Sequence, residues 1–407
     1  MKPAKKLLFL AAGAFQVNAI RAAVDMGYDV TTADYLPDNP GHRFAHRHFI
    51  VSTTEREAVL ALARQLEVDG VFTYASDVAL PTAAYVAGRL RLPTVPHRIA
   101  ETVTRKRRFY AYLERHGFPA AQSRSFATIE PALRAGSRMK LPFVVKPSSS
   151  SGSKGVRLVQ RPEDAPRWIA EAFGFTVDGS IVFQELIASD HPTVVLEGFI
   201  HRGRLTHHAL ADGYRVGLAP IANAFPSRLP LALQRRVVRA VQALVTSLGV
   251  ERGPVDADIV VARDGTPFIV DFALRSGGNL MPEAAREHTG ADFVRAAIAA
   301  AMGDPYLPHL RRQRRARRPC FSYIIHSRAS GVLKSLRIAP GLRDAIACEI
   351  LYKKPGDEVR EFESGKDGLG ALLVRGGLAT PGRIRGMEER IRDMEKHIRI
   401  KLEPGAP

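Results

Sequence analysis

The run Val255-Asp-Ala-Asp-Ile-Val-Val-Ala-Arg-Asp-Gly-Thr-Pro-Phe-Ile-Val-Asp-Phe-Ala-Leu-Arg275 limits the fold of this chain more than any other stretch. Two strand-like segments flank Asp264-Gly265, a dipeptide suited to a two-residue hairpin turn. Counting outward from that turn puts Asp258 opposite Asp271 and Asp256 opposite Ala273. Side chains alternate faces along a strand, so all four share one face, and Arg275 joins them by parity. Ile259, Val261, Phe268 and Val270 are expected on an apolar opposite face. Like charges directly opposed on a sheet, with Cβ atoms about 4.5–5.5 Å apart, destabilise it. Two such carboxylates call for a cation, and oxygen-only ligands suit Mg2+, which takes one or two carboxylates plus substrate phosphates. An exposed sheet face with tolerated acids, or a shared proton, is the alternative.

A second segment points to phosphate. Phe143-Val-Val-Lys-Pro reads as a strand, followed by Ser148-Ser-Ser-Ser-Gly-Ser-Lys-Gly155 and a second strand from Val156. Gly152 and Gly155 permit positive φ. The backbone N–H groups and hydroxyls of a loop containing Ser149, Ser151 and Ser153 can wrap a polyphosphate. Lys154 adds charge within the loop and Lys146 at the end of the strand feeding it. A strand follows the loop where the G-x-x-x-x-G-K-[ST] motif requires a helix. A flexible Ser/Gly linker is the other reading.

The N-terminal part alternates strands and helices. Strands are expected from Lys6, over residues 28–33 ending at Asp34, and over 70–74, with helices at 16–26 and 79–90. That alternation implies a parallel sheet, with ligands at the carboxyl ends of its strands. Gly13, Asp34, Ser76 and Asp77 occupy such ends, either facing substrate or serving as turn and cap residues. The lone glycine in Ala11-Ala-Gly-Ala-Phe falls short of a dinucleotide fingerprint. Lys2, Lys5 and Lys6 before an apolar run resemble a short signal peptide, but the βα pattern beyond favours a first strand. Further helices are expected at 104–117, 162–173, 231–248, 292–302 and 383–397, with tail strands at 323–326, 331–338 and 350–352.

Composition excludes several classes. The net charge of +18 comes from 13 Lys and 46 Arg against 41 acids. The arginines are scattered with few interleaved aromatics, so no nucleic-acid partner is expected. The run Arg311 to Arg318, six arginines in eight positions, reads as an interdomain segment or as a contact for an anionic or oligomeric partner. Two cysteines, Cys320 and Cys348, imply neither a disulfide framework nor zinc, and a cytoplasmic setting is expected. No apolar run approaches the roughly 20 residues that span a bilayer.

Taken in order, these pieces resemble the ATP-grasp superfamily, in the form associated with its carboxylate–amine ligase branch, over about residues 5–305. The resemblance implies an α/β fold: an N-terminal Rossmann-like parallel sheet domain (1–97), a two-lobed ATP-grasp domain (98–305, lid about 118–185) and a small α+β C-terminal domain (306–407). It implies ATP and Mg2+, with Mn2+ as a substitute. Lys106 would be the first ATP lysine, Lys146 would reach the phosphates, and Ser149, Ser151, Gly152, Ser153, Lys154 and Gly155 would form the lid loop. Phe183-Gln-Glu-Leu-Ile187 resembles the adenine hinge, with Gln184 or Glu185 near the adenine amino group and Asp190 or His191 near the ribose. Asp258 and Asp271 would hold metal, and Lys154 and Arg275 would act in catalysis. Where the family ends its second metal strand with acid-x-Asn-x-Arg, this chain has Asp271-Phe-Ala273-Leu-Arg275; the hairpin register offers Asp256 as a replacement oxygen. The family's ribose-contacting Glu is not evident in Ala188-Ser-Asp-His-Pro192. The expected activity is an ADP-forming ligation of a small carboxylate to an amine. A purine-pathway carboxylase or transformylase and a catalytically impaired nucleotide-binding regulator are the alternatives. A homodimer is compatible with the sequence; a membrane is not expected. His326 is either a substrate contact or structural.

Overall fold

The structure is a computed structural model describing residues 3–149, 152–311, 318–376 and 394–404. Lys6–Leu10 forms β1, with four of its five residues fully buried. A strand apolar on both faces belongs inside a parallel sheet covered by helices. β1 lies between β2 (Asp29–Asp34) and β4 (Gly70–Thr73), with β3 (Arg47–Ile50) beyond β2, all parallel. Helices α1 (Val17–Asp25), α2 (Arg56–Leu66) and α3 (Leu80–Arg89) complete this layer. Asp34 accepts the Ala12 N–H at 2.9 Å and the Leu36 N–H at 3.1 Å, so it braces the loops at the sheet's carboxyl end. β3 and α2 had no counterpart in the sequence reading; β3 is a short, largely exposed edge strand.

Helices α4 (His97–Thr104) and α5 (Lys106–Arg115) lead into a small lobe. Its elements are β5 (Ser123–Phe126), α6 (Ile129–Gly136), β6 (Phe143–Pro147), β7 (Arg157–Val159), α7 (Ala165–Phe175) and β8 (Ile181–Glu185), with the strands in antiparallel order β5-β8-β6-β7. Next come β9 (Thr193–His201), β10 (Arg204–Val216), β11 (Ala219–Phe225), α8 (Leu231–Leu248), β12 (Arg252–Val261), β13 (Pro267–Ala273), α9 (Met281–Thr289) and α10 (Phe293–Ala301). The tail contributes β14 (Cys320–Ile325), β15 (Gly331–Ile338), β16 (Ile346–Leu351), β17 (Glu358–Val359), β18 (Gly370–Arg375) and β19 (Ile398–Glu403). Three tail strands extend the central sheet, whose order is β13-β12-β9-β10-β11-β14-β18-β16; β17-β15-β19 forms a separate small sheet. The expected helix at 383–397 falls mostly outside the described residues, as do residues 312–317 of the arginine run.

One face of the central sheet is sealed by α8. Its fully buried Val237, Val241, Leu244 and Val245 recur at helical spacing and pack with Leu196, Ala257, Ile259 and Phe272. Each such buried side chain contributes about 1.5–3 kcal/mol. Gly249, at φ 68, takes the left-handed conformation that ends the helix. The other face looks toward α9, α10 and the first sheet, and it carries the acids.

The hairpin of β12 and β13 pairs Asp258 with Asp271 and Asp256 with Ala273, as the sequence predicts. The route differs. Val261 pairs with Pro267, leaving residues 262–266 as the loop in place of a two-residue turn. That offset is cancelled by a bulge: Ile259 pairs with Ile269, so Val270 is the extra residue. The bulge also corrects the expected faces. Ile269 is buried beside α8, whereas Phe268 pairs with Val260 and, like Val270, is only half-buried.

Candidate active site

Each predicted acid faces a cation from another element. Asp271 Oδ1 lies 2.9 Å from Lys106 Nζ, at the first turn of α5. Asp258 Oδ2 lies 2.6 Å from Arg215 Nη2, near the end of β10. Asp256 Oδ2 lies 2.6 Å from Arg275 Nη1, whose other nitrogens bind both oxygens of Asp77 at 2.9 and 2.8 Å. Asp77 comes from the carboxyl end of the first sheet, so Arg275 joins that sheet to the central one. Among the described residues, no three acidic, histidine or cysteine side chains group so as to hold a metal ion; Asp256 is engaged by Arg275.

The lid side is organised by α5. The Lys106 N–H donates to the Ser148 carbonyl at 2.7 Å, and the Arg107 N–H to Ser148 Oγ at 3.3 Å, tying the helix start to the loop. Lys146 is buried and donates to Tyr110 Oη and, at 2.6 Å, to Gln184 Oε1. Tyr110 Oη donates to the carbonyl of the bulge residue Val270 at 2.7 Å. One tyrosine therefore connects the lid lysine to the irregularity that aligns the two acids. Ser149 Oγ accepts the Val177 and Asp178 N–H groups at 3.0 and 2.9 Å. Gly152, Ser153 and Gly155 all have positive φ, and a Cβ on Gly155 would stand 2.9 Å from the Phe175 ring. Lys154 is half-buried; Ser151 lies outside the described residues.

The hinge residues divide. Gln184 is buried, and its Nε2 has no partner among the described residues. Ile187, three residues further on, is half-buried. Glu185 is exposed and accepts the Gln122 N–H at 2.8 Å. Asp190 is turned outward to Arg263, 3.1 Å away, with two thirds of its side chain exposed. His326 is buried in its side chain, with Nδ1 2.9 Å from the Ile324 carbonyl and Nε2 3.8 Å from Glu395.

Three residues were not anticipated: Tyr110, Arg215 and Glu197. Glu197 lies on β9 directly across from Asp256, on the acid-bearing face. No motif marks them: the sheet order brings Glu197 and Arg215 here, and the packing of α5 on the hairpin brings Tyr110.

Electrostatics follow from burial and pairing. Burial, reinforced by the charge of Lys106, brings the Lys146 ammonium down to about 7. Burial pushes Asp256 up to about 7 against the pull of Arg275. Burial and the adjacent Asp256 hold Glu197 well above the usual carboxylate range. Asp271 is pushed up by burial but held below its ordinary value by Lys106, which Asp271 in turn raises. The donor set fits a magnesium nucleotide: two opposed carboxylates, the cations Lys106, Lys146 and Arg215, and an unpartnered amide donor on Gln184.

An acid-bearing sheet under a cation-bearing lid defines a two-lobed nucleotide-binding scaffold, and comparison with known proteins specifies it. Residues 105–188 match the family model of the carbamoyl-phosphate synthase L chain ATP-binding domain. A formate-dependent phosphoribosylglycinamide formyltransferase of Paraburkholderia xenovorans (strain LB400) is 28% identical over 200 residues, covering 48% of this chain and 46% of that one. The chain thus spans about half the length of the curated relatives it matches. An L-amino acid ligase from Bacillus licheniformis superposes with a TM-score of 0.82 at 20% identity, covering 99% of this chain and 100% of that one. A phosphoribosylglycinamide synthetase from Anaerococcus prevotii gives 0.74 at 18% identity, covering 98% and 100%. The chain therefore resembles that ATP-binding domain over residues 105–188 and, over its length, has the ATP-grasp fold of these two enzymes.

Proposed function

We propose that this chain is an ADP-forming ligase that activates a small carboxylate as an acyl phosphate and joins it to an amine. The observation that carries the proposal is the meeting of lid and sheet: Lys106 reaches Asp271 at 2.9 Å, while its own N–H is bonded to Ser148 at the start of the lid loop. Asp258 and Asp271 would hold Mg2+, or Mn2+ in its place, and the ion would neutralise the β- and γ-phosphates. Lys106, Lys146, Lys154 and Arg215 would bind the phosphates, and Gln184 the adenine side, where its unpartnered Nε2 supports that role. The Ser149–Gly155 loop would cover the nucleotide and exclude water from the acyl phosphate. Arg275, fixed between Asp77 and Asp256, would stabilise charge at the transferred group. The chain would work as three units, 1–97, 98–305 and 306–407.

The test is ATP-dependent phosphate release, with Mg2+, over a panel of small carboxylates paired with amines. Release that requires both partners supports the proposal; none over a broad panel sinks it. The formyltransferase relatives favour a second reading, in which formate is the carboxylate and a ribosylated glycinamide the amine. Turnover confined to that pair selects it. ATP binding without any turnover selects a regulatory role, which Ala273 in place of the family's Asn motivates. No described helix is long and apolar enough to cross a membrane.

A further inference from the structure

The bend that follows β13, residues 276–280, holds Asn279 at φ 53 and Leu280 at φ 61. Left-handed conformations cost non-glycine residues about 1–3 kcal/mol each, and they persist only where the surroundings over-determine them. Two buried side chains hold this bend: Arg275 Nη1 donates to the Ser276 carbonyl at 3.1 Å, and Glu197 takes the next residue from the facing strand. Glu197, fully buried in the middle of β9, accepts the Gly277 N–H on Oε2 at 2.9 Å. Its Oε1 has no hydrogen-bond partner among the described residues. The packing leaves no slack: a Cβ on Gly277 would stand 2.8 Å from Glu197 Oε2, 2.9 Å from Met281 Cβ and 3.1 Å from Asp256 Oδ1.

A carboxyl in a sheet interior with one oxygen unbonded is costly, and an apolar residue of similar size would be more stable there. What an apolar residue lacks is an acceptor for the Gly277 N–H. That bond decides where the chain leaves β13. Arg275 stands two residues upstream, bridging Asp256 and Asp77. On the other side a Cβ on Gly278 would meet Ala75 Cβ at 3.7 Å, beside the carboxyl end of β4. The same bend therefore sets the arginine and the approach of the first sheet.

We propose that Glu197 is a positioning residue, which clamps the 276–280 bend to β9 and so aims Arg275 and Asp256 at the transferred group. The proposal rests on the ligase reading for its catalytic arm and on geometry alone for its structural arm. Three variants are compared with the full-length wild-type chain: Glu197→Ala, Glu197→Gln and Gly277→Ala. Hydrogen exchange of the 276–281 amides is read first, without substrate. Glu197→Ala and Gly277→Ala are expected to speed it, and Glu197→Gln, which keeps an acceptor oxygen, to leave it near wild type. In turnover, the first two should lower kcat about 100-fold, the cost of a small misplacement of a reacting geometry. Their KM for ATP should stay within about twofold, because the nucleotide contacts are untouched. Glu197→Gln should recover most of kcat. Unchanged exchange in Glu197→Ala overturns the clamp. Faster exchange with normal kcat leaves Glu197 merely structural, and overturns the positioning role. Glu197→Gln as damaged as Glu197→Ala also overturns it, since the acceptor oxygen is retained. If Glu197→Ala does not fold, the comparison of Glu197→Gln with Gly277→Ala decides alone. A wild type inert on every substrate pair refutes the ligase reading and with it the aim at a transferred group, while the exchange arm still decides the clamp.

Discussion

Lys146 allows the most quantitative check on this site. Its ammonium is buried between Tyr110 and Gln184, with its pKa brought from 10.5 to about 7. At 1.36 kcal/mol per unit, that shift amounts to about 5 kcal/mol against the charged form in the ligand-free protein. A polyphosphate beside Lys146 favours the charged form, so nucleotide binding should draw in a proton. With a free-state pKa of about 7, uptake should be about 0.5 proton at pH 7 and about 0.9 at pH 8. ATP affinity should then fall about tenfold per pH unit above 7, until the bound-state pKa is reached. Stability of the ligand-free protein has the opposite sign. The unfolded chain binds more protons than the native one between about 7 and 10.5, so stability should rise across that window. Calorimetry of MgATP binding at pH 7–9, in buffers of different ionisation enthalpy, measures the uptake. Lys146→Met should abolish the pH-dependent part, and Lys146→Arg should keep affinity flat with pH because its charge persists. Uptake near zero at pH 8 in the wild type would falsify the reasoning, since Lys146 would then already be charged or would not meet the phosphates.

Asp258→Asn and Asp271→Asn should each lower phosphate release at least about 100-fold, the loss expected when a metal's charge stabilisation is removed, as read by steady-state kinetics at saturating Mg2+. Lys106→Ala should act in opposite directions on two affinities. With the cation gone from Asp271 Oδ1, Mn2+ alone should bind more tightly by paramagnetic titration, while MgATP binds more weakly; parallel changes would contradict the pairing. Glu363→Ala should loosen the lid. Arg157 of β7 is bonded to Glu363, and the Gly365 N–H donates to the Gly152 carbonyl at 3.0 Å, so cleavage after Lys154 by trypsin should quicken in the ATP-free variant and not at saturating ATP.

What the sequence revealed, and what it hid, follows from how far each signal reaches along the chain. The acid pair was legible because a hairpin is local: two strands and a loop within 21 residues place Asp258 against Asp271. Even so, the assumed turn was wrong by one residue of register, and only the bulge at Val270 restored the pairing. Residues 231–248 were legible as a helix from their apolar spacing alone. Lys146 was legible from the strand and loop around it, but its two partners come from α5 and β8. Tyr110 looks like any apolar position of a helix, and Arg215 is one of 46 arginines. Glu197 interrupts the run Val194-Val-Leu-Glu-Gly-Phe199, where it could as well have pointed to solvent. Asp190 shows the converse. Position along the chain puts it next to the hinge, but the direction of its side chain depends on Arg263, from the loop joining β12 and β13.

Lys106, which the sequence pointed to, and Arg215, which it did not, explain how paired acids are accommodated in the sheet. Opposed carboxylates repel, and the hairpin would be destabilised if they stood alone. Lys106 and Arg215 each take one of them, and the two cations come from different elements, α5 and β10. A metal on those oxygens would compete with the two cations, and phosphate groups would give the cations new partners. Each of the four protein charges then keeps a partner of opposite sign in both states, so none is left buried and unpaired. Metal without nucleotide would strand two cations, and nucleotide without metal would strand two carboxylates. The arrangement therefore favours the two arriving together. This coupling is set by which side chain faces which across β10, β12, β13 and α5, and it asks only that Lys106 and Arg215 exchange partners.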